Sequence, residues 1–133
     1  NGIDIPKELI SSSIDELPLI VLAASQANGK TSIRNAEELR VKESDRILSM
    51  IRMMDKFRIS TDEFPDGMNI YGGSIKGARV NSYGDHRIAM TALIASLVSD
   101  GDILVEDCKN IDTSFPTFID TANNIGMDIQ IND

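Results

Sequence analysis

Cysteine and histidine are nearly absent from this 133-residue sequence. Cys108 is the single cysteine, so no disulfide can form within the chain and no metal site can be built from cysteine spacing. His86 is the single histidine, which excludes a metal site made of several histidines. We therefore expect no bound metal, and the scarcity of cysteine favours a reducing, cytoplasmic setting.

Long apolar runs and an excess of positive charge are missing as well. No apolar run approaches the roughly 18 residues of a membrane span, and none follows basic residues as in a signal peptide. The formal net charge of −8 argues against binding of nucleic acid or of an anionic membrane, since both need a basic surface. Because the sequence begins at Asn1 without an initiator methionine, we expect a soluble piece of a longer chain.

Segments with helical apolar periodicity alternate with short β-type runs, which is the pattern of an α/β or α+β domain. The length fits one ordinary domain, which would span residues 1–133. The predicted helices cover residues 15–27, 43–57, 85–98 and 115–125, and the predicted strands cover residues 31–35, 58–61, 68–71, 103–105 and 127–131.

This order of elements repeats along the chain at an offset of about 70 residues. At that offset Asp15 falls on Asp85, and Ile59 falls on Ile129. We predict a duplicated unit, with copies at about 15–75 and 78–133, of which the second lacks its last strand.

The densest group of charges is the stretch from Arg40 to Arg46, which also contains Lys42, Glu43 and Asp45. On a helix Lys42 and Arg46 would share a face and repel each other, and a bound anion would reverse the sign of that interaction. Glu43 would flank the same point, an arrangement suited to proton transfer beside an anion. The alternative is a solvated helix start, in which Glu43 and Asp45 favour the positive end of the helix dipole.

Further charges stand before two predicted helices. Asp85 is a plausible N-cap, and free backbone N–H groups at that helix end would form an anion seat together with His86 and Arg87. The alternative is a capped helix with an exposed Arg87 and a partly exposed His86. Asp15 is either an N-cap or a carboxylate that accepts a substrate hydroxyl. A glycine-rich phosphate loop is lacking, because the 72–73 glycine pair does not precede a helix.

Four strings resemble, in their order, the 5-enolpyruvylshikimate-3-phosphate synthase family: Asp15-Glu16-Leu17-Pro18, Arg40-Val41-Lys42-Glu43-Ser44-Asp45-Arg46, Gly84-Asp85-His86-Arg87-Ile88-Ala89-Met90 and Thr113-Ser114-Phe115-Pro116. The resemblance covers residues 15 to about 127. It implies the enolpyruvyl transferase fold, in which a chain about three times longer forms two domains of three βαβαββ units each. This chain would supply about two of the three units of the carboxy-terminal domain.

The resemblance also implies a reaction. Phosphoenolpyruvate gives its enolpyruvyl group to shikimate 3-phosphate in the shikimate pathway of aromatic amino acid biosynthesis. Phosphate leaves through a tetrahedral intermediate, and neither a metal nor an organic cofactor is needed. The substrate lies between the two domains, so we expect the isolated piece to be inactive without its amino-terminal domain, and the full-length enzyme to be a target of glyphosate.

By this resemblance, Asp15 holds and deprotonates the attacking hydroxyl of shikimate 3-phosphate, and Lys42 binds near the same substrate. Glu43 protonates the methylene carbon of phosphoenolpyruvate. These assignments make Asp15 and Glu43 the proton-transfer pair.

The same resemblance gives Arg46 and Arg87 the carboxylate and phosphate of phosphoenolpyruvate, since a guanidinium fork matches such oxyanions. His86 lines that pocket and assists proton movement. Two positions depart from the family pattern. Many members have a lysine where Thr113 stands, which puts a contact to the leaving phosphate in question. Some have an asparagine where Glu38 stands, which puts a contact to the substrate in question.

Two other functions compete with this one. A related transferase places enolpyruvate on a nucleotide sugar, although the strings around Glu43 and His86 are more similar to the shikimate enzyme. A non-catalytic α/β interaction module would use its charged helix ends only for solubility, and replacement of Glu43 would then change no measurable property.

Overall fold

The computed structural model describes residues 1–109, 111 and 115–131. It is a mixed α/β structure in which helices pack on two small sheets. Two short 3-10 turns, Ile14–Glu16 and Glu37–Val41, connect the larger elements. The helices are α1 (Lys7–Ser12), α2 (Leu17–Ser25), α3 (Arg46–Lys56), α4 (His86–Ala95) and α5 (Phe118–Asn124), and the strands are β1 (Lys30–Ile33), β2 (Thr61–Phe64), β3 (Gly67–Tyr71), β4 (Lys76–Asn81) and β5 (Asp100–Glu106).

The first sheet is antiparallel and has the order β1-β3-β2. Phe64 pairs with Gly67, so β2 and β3 form a tight hairpin around Pro65 and Asp66, as their turn-forming residues predict. The second sheet consists of β4 and β5, which run parallel. Parallel strands need a crossover, and α4 provides it.

One apolar core joins the first four helices to both sheets. α3 contributes Ile47, Met50, Met53 and Met54, which recur at helical spacing and are all buried. The methionines thus fill core space, as their spacing predicts. The helix packs against β2, β4 and α4. Its first residue, Arg46, contacts Asp15 before α2 and Asp85 at the start of α4.

Most predicted elements are confirmed, the helices with shorter bounds and the strands β3 and β5 with longer ones, but three boundaries or elements are wrong. α3 begins at Arg46 rather than residue 43, because the extended residue Asp45 caps it. β2 begins at Thr61, because residues 58 and 59 still belong to the helix end: Arg58 has φ 65 and the Ile59 N–H donates to the Met54 carbonyl. Residues 127–131 alternate like a strand but form none.

Two elements have no counterpart among the predictions. α1 has only 6 residues, of which Ile10 alone is buried, so its apolar period is too short to recognise. In β4 only Val80 is fully buried, which removes the clear alternation of a half-buried strand. In the part of the chain that the structure describes, no helix is long and apolar enough to cross a bilayer.

The close approach at Gly72 supplies a test of the fold. An added Cβ there would lie 1.7 Å from the Ala27 carbonyl oxygen, whereas at Gly73 it would lie 3.3 Å from Cδ1 of the Ile59 side chain. We expect Gly72→Ala to lower the free energy of unfolding by about 3 kcal/mol, and Gly73→Ala by less than about 1 kcal/mol, because a side chain can shift more easily than backbone. Urea unfolding of both variants measures this, and equal losses would contradict the predicted difference.

Candidate active site

Arg46, the first residue of α3, is buried, with only 1% of its side chain exposed. Its guanidinium contacts three carboxylates. Nε and Nη2 donate to the two oxygens of Asp85 at 2.8 and 3.2 Å, Nη1 donates to Asp15 at 3.0 Å, and Nη2 also donates to Glu43. A buried guanidinium needs such partners, because an unpaired charge in the interior is strongly destabilising.

Asp85 is the most buried of these carboxylates, with 0% of its side chain exposed. Its Oδ1 caps α4 by accepting the Arg87 backbone N–H at 3.0 Å, and its Oδ2 accepts the Ser44 hydroxyl at 2.9 Å. Burial alone would raise the pKa of Asp85, but hydrogen bonds from Arg46 and Ser44 outweigh it and hold the pKa below its usual value. The N-cap interpretation of Asp85 is therefore confirmed, and the same side chain also binds Arg46.

Asp15 lies in the 3-10 turn before α2 and is not that helix's N-cap. The N-cap of α2 is Glu16, whose side chain makes no capping hydrogen bond. Asp15 instead faces Arg46 and, at 3.6 Å, the Lys42 ammonium. Partial burial opposes ionisation of Asp15, but the charge of Lys42 and the hydrogen bond from Arg46 lower its pKa.

The other predicted site residues surround this group at greater distance. Arg87 makes an ion pair of 3.6 Å with Glu16, beside Asp15, and its charge contributes to lowering the pKa of Asp15. His86, the first residue of α4, is half-buried. Within the described residues, no hydrogen bond or ion pair joins its ring to the carboxylates around Arg46. Thr113 lies outside the described residues.

The spacing argument for Lys42 and Arg46 is wrong, although both residues reach the same place. Lys42 and Glu43 precede α3, so they share no helix face with Arg46. The chain instead turns between Lys42 and Arg46 and brings both cations to Asp15. The solvated-helix alternative is wrong for Arg46, because that side chain is buried.

Sequence reasoning missed the hydroxyl contacts of the site and two of its ion pairs. Ser44 donates to Asp85 and accepts from Ser49 at 3.1 Å. Glu38, noted only as a departure from the family pattern, pairs with Lys42 at 3.4 Å, and Glu16 pairs with Arg87. The i,i+4 spacing of Glu38 and Lys42 is a sequence signal that could have found the first pair. Glu16 and Arg87 are far apart in the sequence, so no spacing marks the second.

Cations and carboxylates thus meet in a small volume at the starts of α2, α3 and α4. Such an arrangement can bind an anion through the cations and move protons through the carboxylates. Across the residues described by the structure, no cluster of three or more histidine, cysteine or acidic side chains is arranged to hold a metal ion.

Known proteins are similar to this chain in sequence and in fold. The family model for EPSP synthase (3-phosphoshikimate 1-carboxyvinyltransferase) matches residues 1–122. The 3-phosphoshikimate 1-carboxyvinyltransferase of Coxiella burnetii is 46% identical over 129 residues, covering 97% of this chain and 30% of the relative. The enzyme of that name from Legionella pneumophila is also 46% identical over 129 residues, with the same coverage.

A solved structure agrees with these matches. The EPSP synthase of Acinetobacter baumannii superposes with a TM-score of 0.96 at 37% identity, over 100% of this chain and 32% of that one. The chain therefore spans about 30% of the length of the curated relatives it matches.

The lowered pKa of Asp85 generates a stability prediction. Because the pKa in the folded state lies below the unfolded value of about 3.9, the ionised carboxylate stabilises the fold above that pH. The contribution is lost as the pH falls through the lowered pKa. Asp85→Asn keeps the shape of the side chain but removes the negative charge that faces Arg46. We expect it to lower the free energy of unfolding by about 3 kcal/mol at pH 7 and by progressively less toward pH 2.

Asp45→Asn is the matched control, since Asp45 also caps a helix but is 35% exposed. It should cost about 1 kcal/mol or less. Denaturant unfolding between pH 2 and pH 7 compares the two variants. Equal costs at every pH would show that the buried pair with Arg46 adds nothing beyond a cap.

Proposed function

The chain belongs to the EPSP synthase (3-phosphoshikimate 1-carboxyvinyltransferase) family, and on that premise we propose that it supplies part of the active site of such an enzyme. The reaction joins phosphoenolpyruvate to shikimate 3-phosphate and releases phosphate. One observation carries the proposal: the buried Arg46 holds Asp15, Glu43 and Asp85 around one guanidinium.

Arg46 is the proposed binding group for an oxyanion of phosphoenolpyruvate. Asp85 accepts from Nε and from one N–H of Nη2. The other edge of the guanidinium, which now donates to Asp15 and Glu43, is the edge that a substrate oxyanion could bind. Both of these side chains are about half exposed, at 44% and 52%, so they can yield their places to a substrate oxyanion. An entering oxyanion would therefore exchange with the two carboxylates and release them for proton transfer.

Asp15 is the proposed partner of the attacking hydroxyl. Asp15 can accept a hydrogen bond from that hydroxyl. Lys42 and Arg46 lower its pKa and so weaken it as a base, and it becomes a stronger base when a substrate oxyanion takes its place on Arg46. Lys42, 3.6 Å from Asp15, would place its positive charge near the same phosphorylated substrate.

Glu43 is the proposed acid for the other substrate. In this step Glu43 has left Arg46 and carries a proton. As the hydroxyl oxygen bonds to the central carbon of phosphoenolpyruvate, Glu43 gives that proton to the methylene carbon, and a tetrahedral intermediate forms. Breakage of the carbon–oxygen bond to phosphate, with loss of a proton from the new methyl group, restores the double bond. Arg87 would share the phosphate, and His86, beside it in the chain, would take part in moving protons.

The proposed architecture is two βαβαββ units of a larger domain, at about 15–75 and 78–133. The order of the described elements supports this architecture. The first copy has the order helix, strand, helix in α2-β1-α3, followed by the β2–β3 hairpin, and the second copy repeats helix, strand, helix in α4-β5-α5. A groove of about 1300 Å³ is lined by β5 and by residues 126–131, among others. In the first copy the strand that corresponds to β5 is β1, and β3 pairs with it. We propose that a strand from another part of a longer enzyme completes the second copy.

Replacement of Glu43 tests the function in a hybrid synthase, defined as the Coxiella burnetii relative with its matched segment exchanged for this chain. We expect Glu43→Gln to lower kcat by about 100-fold or more, because an amide cannot give up a proton. Glu37→Gln, at an exposed position of the preceding turn, should leave kcat within about 2-fold. Phosphate release with both substrates present measures turnover.

Unchanged turnover in the Glu43→Gln hybrid would remove Glu43 from the chemistry. A folded hybrid that releases no phosphate even with Glu43 in place would contradict the proposed function itself.

The isolated chain should be inactive. It spans about 30% of its relatives, and a site open to water on one side lacks both closure and the contacts of a second domain. Under the same assay we expect its phosphate release to be at least about 10⁴-fold below that of the hybrid. A rate within 10-fold of the hybrid would contradict the need for a second domain.

A further inference from the structure

We propose that Arg40 is a positioning residue, which fixes the segment that carries Lys42 and Glu43 while touching no substrate. The inference rests on the proposed function of those two residues. Sequence reasoning counted Arg40 among the cations of the site, but its contacts point elsewhere.

The Arg40 guanidinium is occupied by the β2–β3 hairpin and by the cap of α3. Nη1 donates to both oxygens of Asp45, at 3.2 and 3.0 Å, and lies 2.8 Å from Glu63. Nη2 donates to the Phe64 carbonyl at 2.8 Å, and Nε donates to the Pro65 carbonyl at 3.3 Å. With these donors used, Arg40 has little capacity left for a substrate anion.

The contact between Arg40 and Asp45 affects the start of α3, because Asp45 is also the N-cap of that helix. Its side chain accepts the Leu48 backbone N–H at 3.1 Å as the N-cap. Arg40 therefore ties the hairpin to the first turn of α3. Because Arg46 is the first residue of that helix, the same tie fixes where the buried guanidinium enters the site.

The segment between these anchors has no regular structure of its own. Residues 42–45 follow a 3-10 turn and precede α3, and both Lys42 and Asp45 have extended backbone. At its inner side the segment is held by Ser44, which donates to Asp85. Without Arg40 the segment would keep this inner contact, the ion pairs of Lys42 and Glu43 and the cap of α3, but it would lose its tie to the β2–β3 hairpin. Lys42 and Glu43 would then be held from one side alone and would shift. A displacement of about 1 Å is enough to cost about 100-fold in rate.

Arg34, which directly follows β1, is a matched control that binds the same hairpin. It pairs with Asp66 at 2.8 Å and lies over the Phe64 ring at 4.3 Å, but its side chain is 52% exposed and it contacts nothing in residues 42–46. A purely structural effect of losing an arginine that binds the hairpin should appear equally in Arg34→Ala and Arg40→Ala.

The first test uses steady-state kinetics of the hybrid synthase. We expect Arg40→Ala to raise KM for shikimate 3-phosphate and to lower kcat, with a combined loss of about 100-fold in kcat/KM, and Arg34→Ala to stay within about 3-fold. Millimolar guanidinium should restore at least 10-fold of the loss in Arg40→Ala alone, because the vacated site is partly open to solvent. Arg40→Lys should remain impaired, since one ammonium cannot replace the fork. Equal losses in both alanine variants, or no recovery with guanidinium, would overturn the inference.

A second test uses amide hydrogen exchange on the chain itself and separates this inference from the proposed function. In Arg40→Ala the amides of Leu48 and Ser49, which donate to the side chain and the carbonyl of Asp45, should exchange at least 10-fold faster, while those of α4 should be unchanged. Unchanged exchange at Leu48 and Ser49, or a loss of protection throughout the chain, would contradict local positioning whatever the hybrid does. An inactive wild-type hybrid would count against the proposed function alone.

Discussion

The burial of one guanidinium constrains most of this structure. Arg46 is almost entirely removed from solvent, and arginine cannot give up its charge inside a protein. An uncompensated charge at that depth would be strongly destabilising, so carboxylates from three separate segments have to converge on it. Asp15, Glu43 and Asp85 come from the starts of three helices, and their convergence fixes those helix starts relative to one another.

Two aspartates couple helix initiation to the geometry of the site. Asp45 caps α3 and binds Arg40, while Asp85 caps α4 and binds Arg46. Each carboxylate thus satisfies a backbone N–H at a helix start and an arginine at the same time. The two pairs differ in depth, since the Asp85 pair is buried and the Asp45 pair is partly exposed. The outer pair therefore connects the site to the hairpin, and the inner pair connects two helices within the core.

The sequence predicted the helices better than it predicted their ends. Apolar-rich segments located α2 and α4, and apolar residues recurring every three or four positions located α3, because both patterns supply a buried helix surface whatever lies opposite it. The start of α3 was misplaced because Asp45 was taken as one more charge of the helix, although its side chain is the cap. The strand predicted at 127–131 fails for a different reason: alternation supplies a suitable face but no partner, and none of the described strands pairs with it.

By itself the sequence determined the family, the core-forming residues and the side chains that carry charge near the proposed chemistry, because motif strings and apolar periods are local properties. Only the tertiary structure decided how those charges pair. The meeting of Asp15, Lys42 and Arg46, the binding of Arg46 and Ser44 by Asp85 and the contacts of Arg40 with the hairpin join residues 23 to 41 positions apart. Spacing on one helix cannot reveal such contacts, because they arise only when separate elements pack around a charge that water no longer reaches.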